Sequence, residues 1–199
     1  MHSIKSPTSI KFSVSHGKDA SVAQVYKSYK SEFAKYQTQF GSVDYVTQVL
    51  LSDYTGDGTW GSFDDDSGII TIAGANGANG FKDLTQTAKK MFRDGEWSSA
   101  SELHTFRHEL THAWLLQRKS DPAFLKRLYS VYDYRRSLLN DLTSLSDSDR
   151  IVKKKELLSL YGLKEYTEPD DFICECFAEY LNGSPREVSK KVVDMLIKG

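Results

Sequence analysis

The sequence predicts an α+β protein, with a small mixed or antiparallel sheet of about three strands packed on a mainly helical body. Three observations carry this. Stretches rich in β-branched and aromatic residues, punctuated by Asp and Gly, are confined to residues 42–73. From Lys82 onward, apolar residues recur at steps of three and four with few interruptions. A chain of 199 residues buries one good core, whereas two full domains would each be small. Residues 1–199 therefore read as a single domain, with a helix-plus-sheet part over about 10–80 and a helical part over about 81–199.

The elements follow in order. From Ala20 to about Gln39, Val22, Val25, Tyr26, Tyr29, Phe33 and Tyr36 form an apolar stripe with Lys27, Lys30 and Glu32 between them, the pattern of an amphipathic helix. "SVDYVTQVLL" fits a strand and "SDYTGDG" a loop. "TWGSF" and "IITIA" then flank the turn "DDDSG", closed by Gly68, as a strand pair. "GANGANG" is a connection, since its glycines cannot hold regular structure cheaply. Helices follow over "FKDLTQTAKKMFRDG" and from near Ser99, where Ser99 and Glu102 have the spacing of a capping box. Asp121 and Pro122 open the next helix as cap and first residue, and "SLSDSDR" interrupts it. A charged helix ends at Gly162, and Pro169 starts another that stops at Asn182 and Gly183. Ser184, Pro185 and Glu187 read as a second capping box, for a final helix through Val188, Val192 and Leu196.

Composition narrows the function classes. With 39% hydrophobic and 27% charged residues the chain reads as soluble and globular, and no apolar run suits a membrane span. A formal net charge of -1 argues against a broad basic surface, and "VKKKE" is a solvated helix face, so neither nucleic acid nor membrane is an expected partner. The opening "MHSIKSPTSIKFS" lacks the apolar core of a secretory signal, which predicts a cytoplasmic protein. Cys174 and Cys176, two apart on a helix, diverge too much for a disulfide and read as small buried residues in a reducing compartment.

The chemistry concentrates in "FRHELTHAW". His108 and His112, four apart on a helix, project from one face and can converge on one metal ion, with Glu109 beside it. Glu109 then serves as general base toward a water whose pKa the metal lowers. Leu103, Phe106, Leu110, Ala113 and Trp114 anchor the opposite face, and three of the five histidines fall within nine residues. A catalytic zinc usually has three protein ligands. The downstream helix "EPDDFICECFAEYLNG" carries Asp171, Glu175 and Glu179 at every fourth position, an acidic stripe among apolar residues that calls for a compensating partner.

His108, Glu109 and His112, followed by "PDDFICECFAEYL", resemble the glutamate-zincin metallopeptidases typified by the anthrax lethal factor catalytic domain and the clostridial Pro-Pro endopeptidase. "WGSFDDDSGIITI", "HTFRHELTHAW", "YG" and "NGSPREV" are similar to the metallopeptidase-like domain found with phage and prophage minor head proteins, over roughly residues 40–190. The resemblance implies a zincin-like fold with an active-site helix, one zinc ion per chain, and endopeptidase activity on an extended peptide or protein segment. It implies a third metal ligand at Asp171 with Glu175 as the supporting acid, or at Glu175 with Glu179 as the supporting acid, according to how the acidic motif is matched, and a carboxylate that is not the ligand orients a histidine. It also implies an assisting tyrosine, Tyr161 or Tyr166, and an edge strand above the active-site helix that binds substrate, for which "GIITIA" is the candidate. Phage capsid or portal proteins are the partners it suggests, with virion association. The alternative is a head-associated structural or binding module that retains a zinc site without proteolysis. An intracellular toxin or effector peptidase would differ only in its target.

Overall fold

The computed structural model describes residues 10–14, 20–52, 60–73 and 81–198. These form seven helices and one four-stranded sheet, a mixed α+β arrangement. The opening residues 1–9, most of the loop expected after Leu51 and the glycine-rich connection 74–80 lie outside the described residues.

The strands β1 (Lys11–Val14), β2 (Gln48–Ser52), β3 (Gly61–Asp64) and β4 (Ile69–Ala73) lie in the order β1-β2-β4-β3. β1 and β4 run parallel to β2, and β3 returns antiparallel to β4. Two expectations change here. A fourth strand, β1, exists because β2 supplies its pairing across a long stretch of chain. β4 is an inner strand, with Val49 beside Ile70 and Leu51 beside Ile72, all fully buried. The edge of the sheet next to the helical body is therefore β3. The β3–β4 turn needs Gly68, whose φ of +70° is left-handed and whose missing side chain would sit 2.0 Å from the Tyr45 carbonyl oxygen.

The helices are α1 (Ala20–Phe40), α2 (Phe81–Asp94), α3 (His104–Arg118), α4 (Pro122–Leu142), α5 (Asp147–Leu157), α6 (Pro169–Tyr180) and α7 (Glu187–Ile197). α4 opens as expected, with Asp121 accepting from the Ala123 amide and Pro122 at the first position. α3 does not start near Ser99. It begins at His104, and the Ser99 hydroxyl faces the His104 ring instead of capping a backbone amide. α7 is capped by the backbone of Arg186 rather than by Ser184. Among the described residues no helix is long and apolar enough to cross a membrane.

α3 is the central element, packed on α6 along one side and on β3 and β4 along another. Phe106, Leu110, Ala113 and Trp114 are buried as the stripe predicts. The Trp114 indole donates to the Phe40 carbonyl at 2.9 Å, and Phe177 of α6 sits 4.9 Å from the Phe40 ring and 5.1 Å from that of Trp114. Each fully buried side chain of the Leu110 or Phe177 kind stabilises the fold by about 1.5–3 kcal/mol. A buried ion pair, Arg107 to Glu32 at 2.7 Å, ties α3 to α1 and fixes the rotation of α3 about its axis. Both faces of α3 are thus held by packing, and its polar seam is turned toward α6.

Candidate metal centre

His108 and His112 lie one turn apart on α3, with their Nε2 atoms 3.2 Å from each other. Asp171, in the first turn of α6 behind Pro169, brings Oδ1 to 3.3 Å from both of these nitrogens. Three ligand atoms therefore form a nearly equilateral triangle. Metal–ligand bonds of about 2.0–2.2 Å in tetrahedral geometry separate neighbouring ligand atoms by roughly 3.3–3.5 Å, so the triangle has the dimensions that an ion of zinc's size requires. Asp170, next to Asp171, is turned away and pinned by Lys119 at 2.7 Å and by the Tyr132 hydroxyl.

Glu175, one turn further along α6, meets the far side of His108. Its Oε1 lies 3.4 Å from His108 Nδ1 and 2.9 Å from His104 Nε2. Its Oε2 accepts from the Ser98 amide at 2.7 Å and the Ser159 hydroxyl at 2.9 Å. The two carboxylates that sequence matching could not separate thus occupy different positions. Asp171 faces both imidazole Nε2 atoms, whereas Glu175 faces the back of one ring with every oxygen engaged. Glu179, the third member of the stripe, is not at the centre. A helix gains about 40° over four residues, which carries Glu179 round to Arg186 and to Ser189 of α7.

The charges of these groups depend strongly on one another. Burial alone would lower the His108 pKa, but the neighbouring carboxylates of Asp171, Glu175 and Glu109 outweigh it and hold the ring up at about 10. Burial would raise both Asp171 and Glu175, yet the facing imidazoles pull each well below the usual carboxylate range. Glu109 is raised by burial, an effect only partly offset by His108 and His112. The ligand atoms of His108, His112 and Cys174 lie within 4.8 Å of one another, as do those of His104, His108 and Glu175, so these buried groupings can hold a metal ion. Both cysteines are free and buried.

Of the two candidate tyrosines, Tyr161 is at the centre. Its ring lies 5.8 Å from that of His108, and it lines the cleft beside Glu109 and Asp171. Burial and the nearby carboxylates of Asp171 and Glu109 raise its pKa, so it stays a donor. The segment that carries it is fixed by Leu160 and Tyr161 amides donating to the Gly95 and Glu96 carbonyls. Tyr166 is 82% exposed and does not line the cleft, which corrects its candidacy.

The cleft extends to both sides of His108 and Glu109. On one side a cavity of about 280 Å³ is bounded by Trp60, Met91, Trp97 and His104, with the two indoles edge to face at 6.2 Å. On the other a groove of about 440 Å³ passes Phe63, His112, Leu116 and Asp171. Gly61 of β3 lines both. Sequence reasoning missed Gly61, Trp97, Ser98 and Ser159, and left His104 without a role. Only His104 carried a signal, being four residues before His108 and so on the same helix face.

No family model matches the chain, and no curated protein or solved structure is significantly similar to it.

Proposed function

We propose that this chain is a zinc-dependent endopeptidase acting on an extended protein segment. One observation carries the reading: His108 Nε2, His112 Nε2 and Asp171 Oδ1 lie 3.2–3.3 Å apart in a cleft, with Glu109 buried beside them. Two imidazoles and one carboxylate are the ligand set of a catalytic zinc site that keeps one position for water.

A zinc ion held by His108, His112 and Asp171 would supply Lewis acidity toward a water and toward the scissile carbonyl. Glu109 is placed to take a proton from an attacking water and pass it to the leaving amine, and its raised pKa suits both transfers. The Tyr161 phenol donates to the carbonyl oxygen as negative charge develops. Glu175 holds the His108 ring through Nδ1. The substrate runs along β3, where alternation with β4 turns the amide and carbonyl of Phe63 away from the sheet. A bulky apolar side chain fills the cavity between Trp60 and Trp97.

The test is hydrolysis of an unstructured protein by zinc-loaded wild type and Glu109→Gln. The substitution is expected to lower the rate by about 10²–10⁴-fold while one zinc per chain is retained. Undiminished hydrolysis by the zinc-loaded variant would overturn the mechanism.

A second reading, a phage or prophage head-associated structural module that keeps zinc without proteolysis, draws on Cys174, whose Sγ is near His108 and His112. A thiolate there would complete a closed four-ligand site. Burial and the adjacent acids Asp170 and Asp171 push the Cys174 pKa up, which weighs against it. Zinc retained by Cys174→Ala supports the peptidase, and zinc lost supports the structural module.

A further inference from the structure

We propose that His104 is a positioning residue of the metal centre, acting through Glu175 on His108; this rests on the metal-binding reading above. His104 opens α3 one turn before His108 and is 2% exposed. Its ring stacks on Trp97, with centroids 4.5 Å apart and planes 13° apart, and both ring nitrogens are engaged. Nε2 lies 2.9 Å from Glu175 Oε1 and Nδ1 lies 3.2 Å from the Ser99 hydroxyl.

The chemistry of these contacts fixes their direction. An ionised carboxylate only accepts, so His104 Nε2 carries a proton and donates it to Glu175, while Nδ1 faces the Ser99 hydroxyl. The same Glu175 oxygen lies 3.4 Å from His108 Nδ1, so a proton on that nitrogen faces a carboxylate and, with a metal bound, Nε2 is the nitrogen left to face it, beside His112 and Asp171. Oε2 is held independently by Ser98 and Ser159. His104 therefore decides where Oε1 stands. Without its donor, Oε1 keeps only the longer contact to His108, and the carboxylate is free to turn about the anchored Oε2.

His104 does not reach the other ligand atoms itself. It is a donor whose absence is felt one residue away, as a looser His108.

The experiment compares zinc affinity, by competition with a chromophoric chelator, among wild type, His104→Leu and His104→Gln, together with the visible spectra of their cobalt(II) forms. Leu keeps the bulk without a donor, whereas the Gln amide reaches about as far as Nε2 and restores one. His104→Leu is expected to bind zinc about 10–100-fold more weakly with altered cobalt bands, and His104→Gln to recover most of both. Equal losses in the two variants would reduce His104 to ring packing and overturn the proposal. Wild-type affinity in His104→Leu would overturn it and leave the metal centre standing, and a wild-type protein that takes up no zinc would remove the metal centre itself. Should His104→Leu fail to fold, His104→Asn keeps a polar amide that falls about one methylene short of Glu175 Oε1. A weakened zinc affinity in that variant supports the proposal, and an unchanged one overturns it.

Discussion

Gly61 of β3 lies so close to Glu109 of α3 that a methyl group on its Cα would stand 2.9 Å from the Glu109 Oε1 and 2.5 Å from the Thr105 methyl. The strand and the helix meet at the proposed general base, and only a hydrogen fits between them. Gly61→Ala is expected to push β3 off α3, costing about 1–3 kcal/mol in thermal or urea unfolding. It should reduce peptide hydrolysis more than zinc content, because the displaced group is the proposed base and not one of the proposed ligands. Equal stability and activity in the variant would refute the close fit.

The two acids of α6 separate by mutation. Asp171→Asn is expected to abolish stoichiometric zinc uptake, since it removes the oxygen that faces both imidazole Nε2 atoms. Glu175→Gln should keep the metal about 10–100-fold more weakly and lose about 1–3 kcal/mol of stability, because part of the donor set around Oε1 and Oε2 goes unmatched. Metal analysis by mass spectrometry with parallel unfolding curves reads both, and the opposite pattern would reassign the ligand.

The tyrosines differ in the same way. Tyr161→Phe is expected to lower kcat by about 10²-fold with zinc retained, the scale of one lost oxyanion donor. Tyr166→Phe, at a ring exposed to solvent, should leave kcat unaltered. Steady-state kinetics on one peptide decides between them.

The metal-free protein should have a lopsided stability profile. His108 titrates near 10 when folded against 6.5 in a free chain, so its contribution is complete below about pH 6.5 and is lost as pH rises toward 10. Asp171 and Glu175 are depressed, so theirs is complete above roughly pH 4–5 and lost as pH falls. With a chelator present, Tm should peak at about pH 5–6.5 and decline on both sides. Zinc must displace the His108 proton, so its apparent affinity should climb by about tenfold per pH unit up to pH 10. A flat binding profile from pH 6 to 9 would contradict the protonated His108.

What the sequence discloses is what a single helix can disclose. The four-residue spacing of His108 and His112, the stripe ending in Trp114 and the Asp121–Pro122 start are all local, and each is found in the structure. What it withholds depends on distant partners. β1 is four residues whose pairing comes from β2, and the inner position of β4 follows from strand order. Ser99 has the letters of a cap, but its hydroxyl is taken by His104. Tyr161 and Tyr166 look alike until the turn joining α5 to α6 sends one inward and the other out. Asp171 and Glu175 are equivalent on a helical wheel, and only α3, approaching from one side, makes one a neighbour of the Nε2 atoms and the other of Nδ1.

The clasp on Glu179 bears on events two turns away. Arg186 and Ser189 grip that carboxylate from the start of α7, while Lys119 and Tyr132 grip Asp170 at the opposite end of α6. A helix slides by about 1.5 Å for each residue of travel, a distance comparable to the whole tolerance of a metal bond. The two grips work as end stops on a rod, and the third corner of the ligand triangle inherits its position from their spacing. Loosening α7, far from any substrate, would detune the centre by translation while every ligand kept its identity.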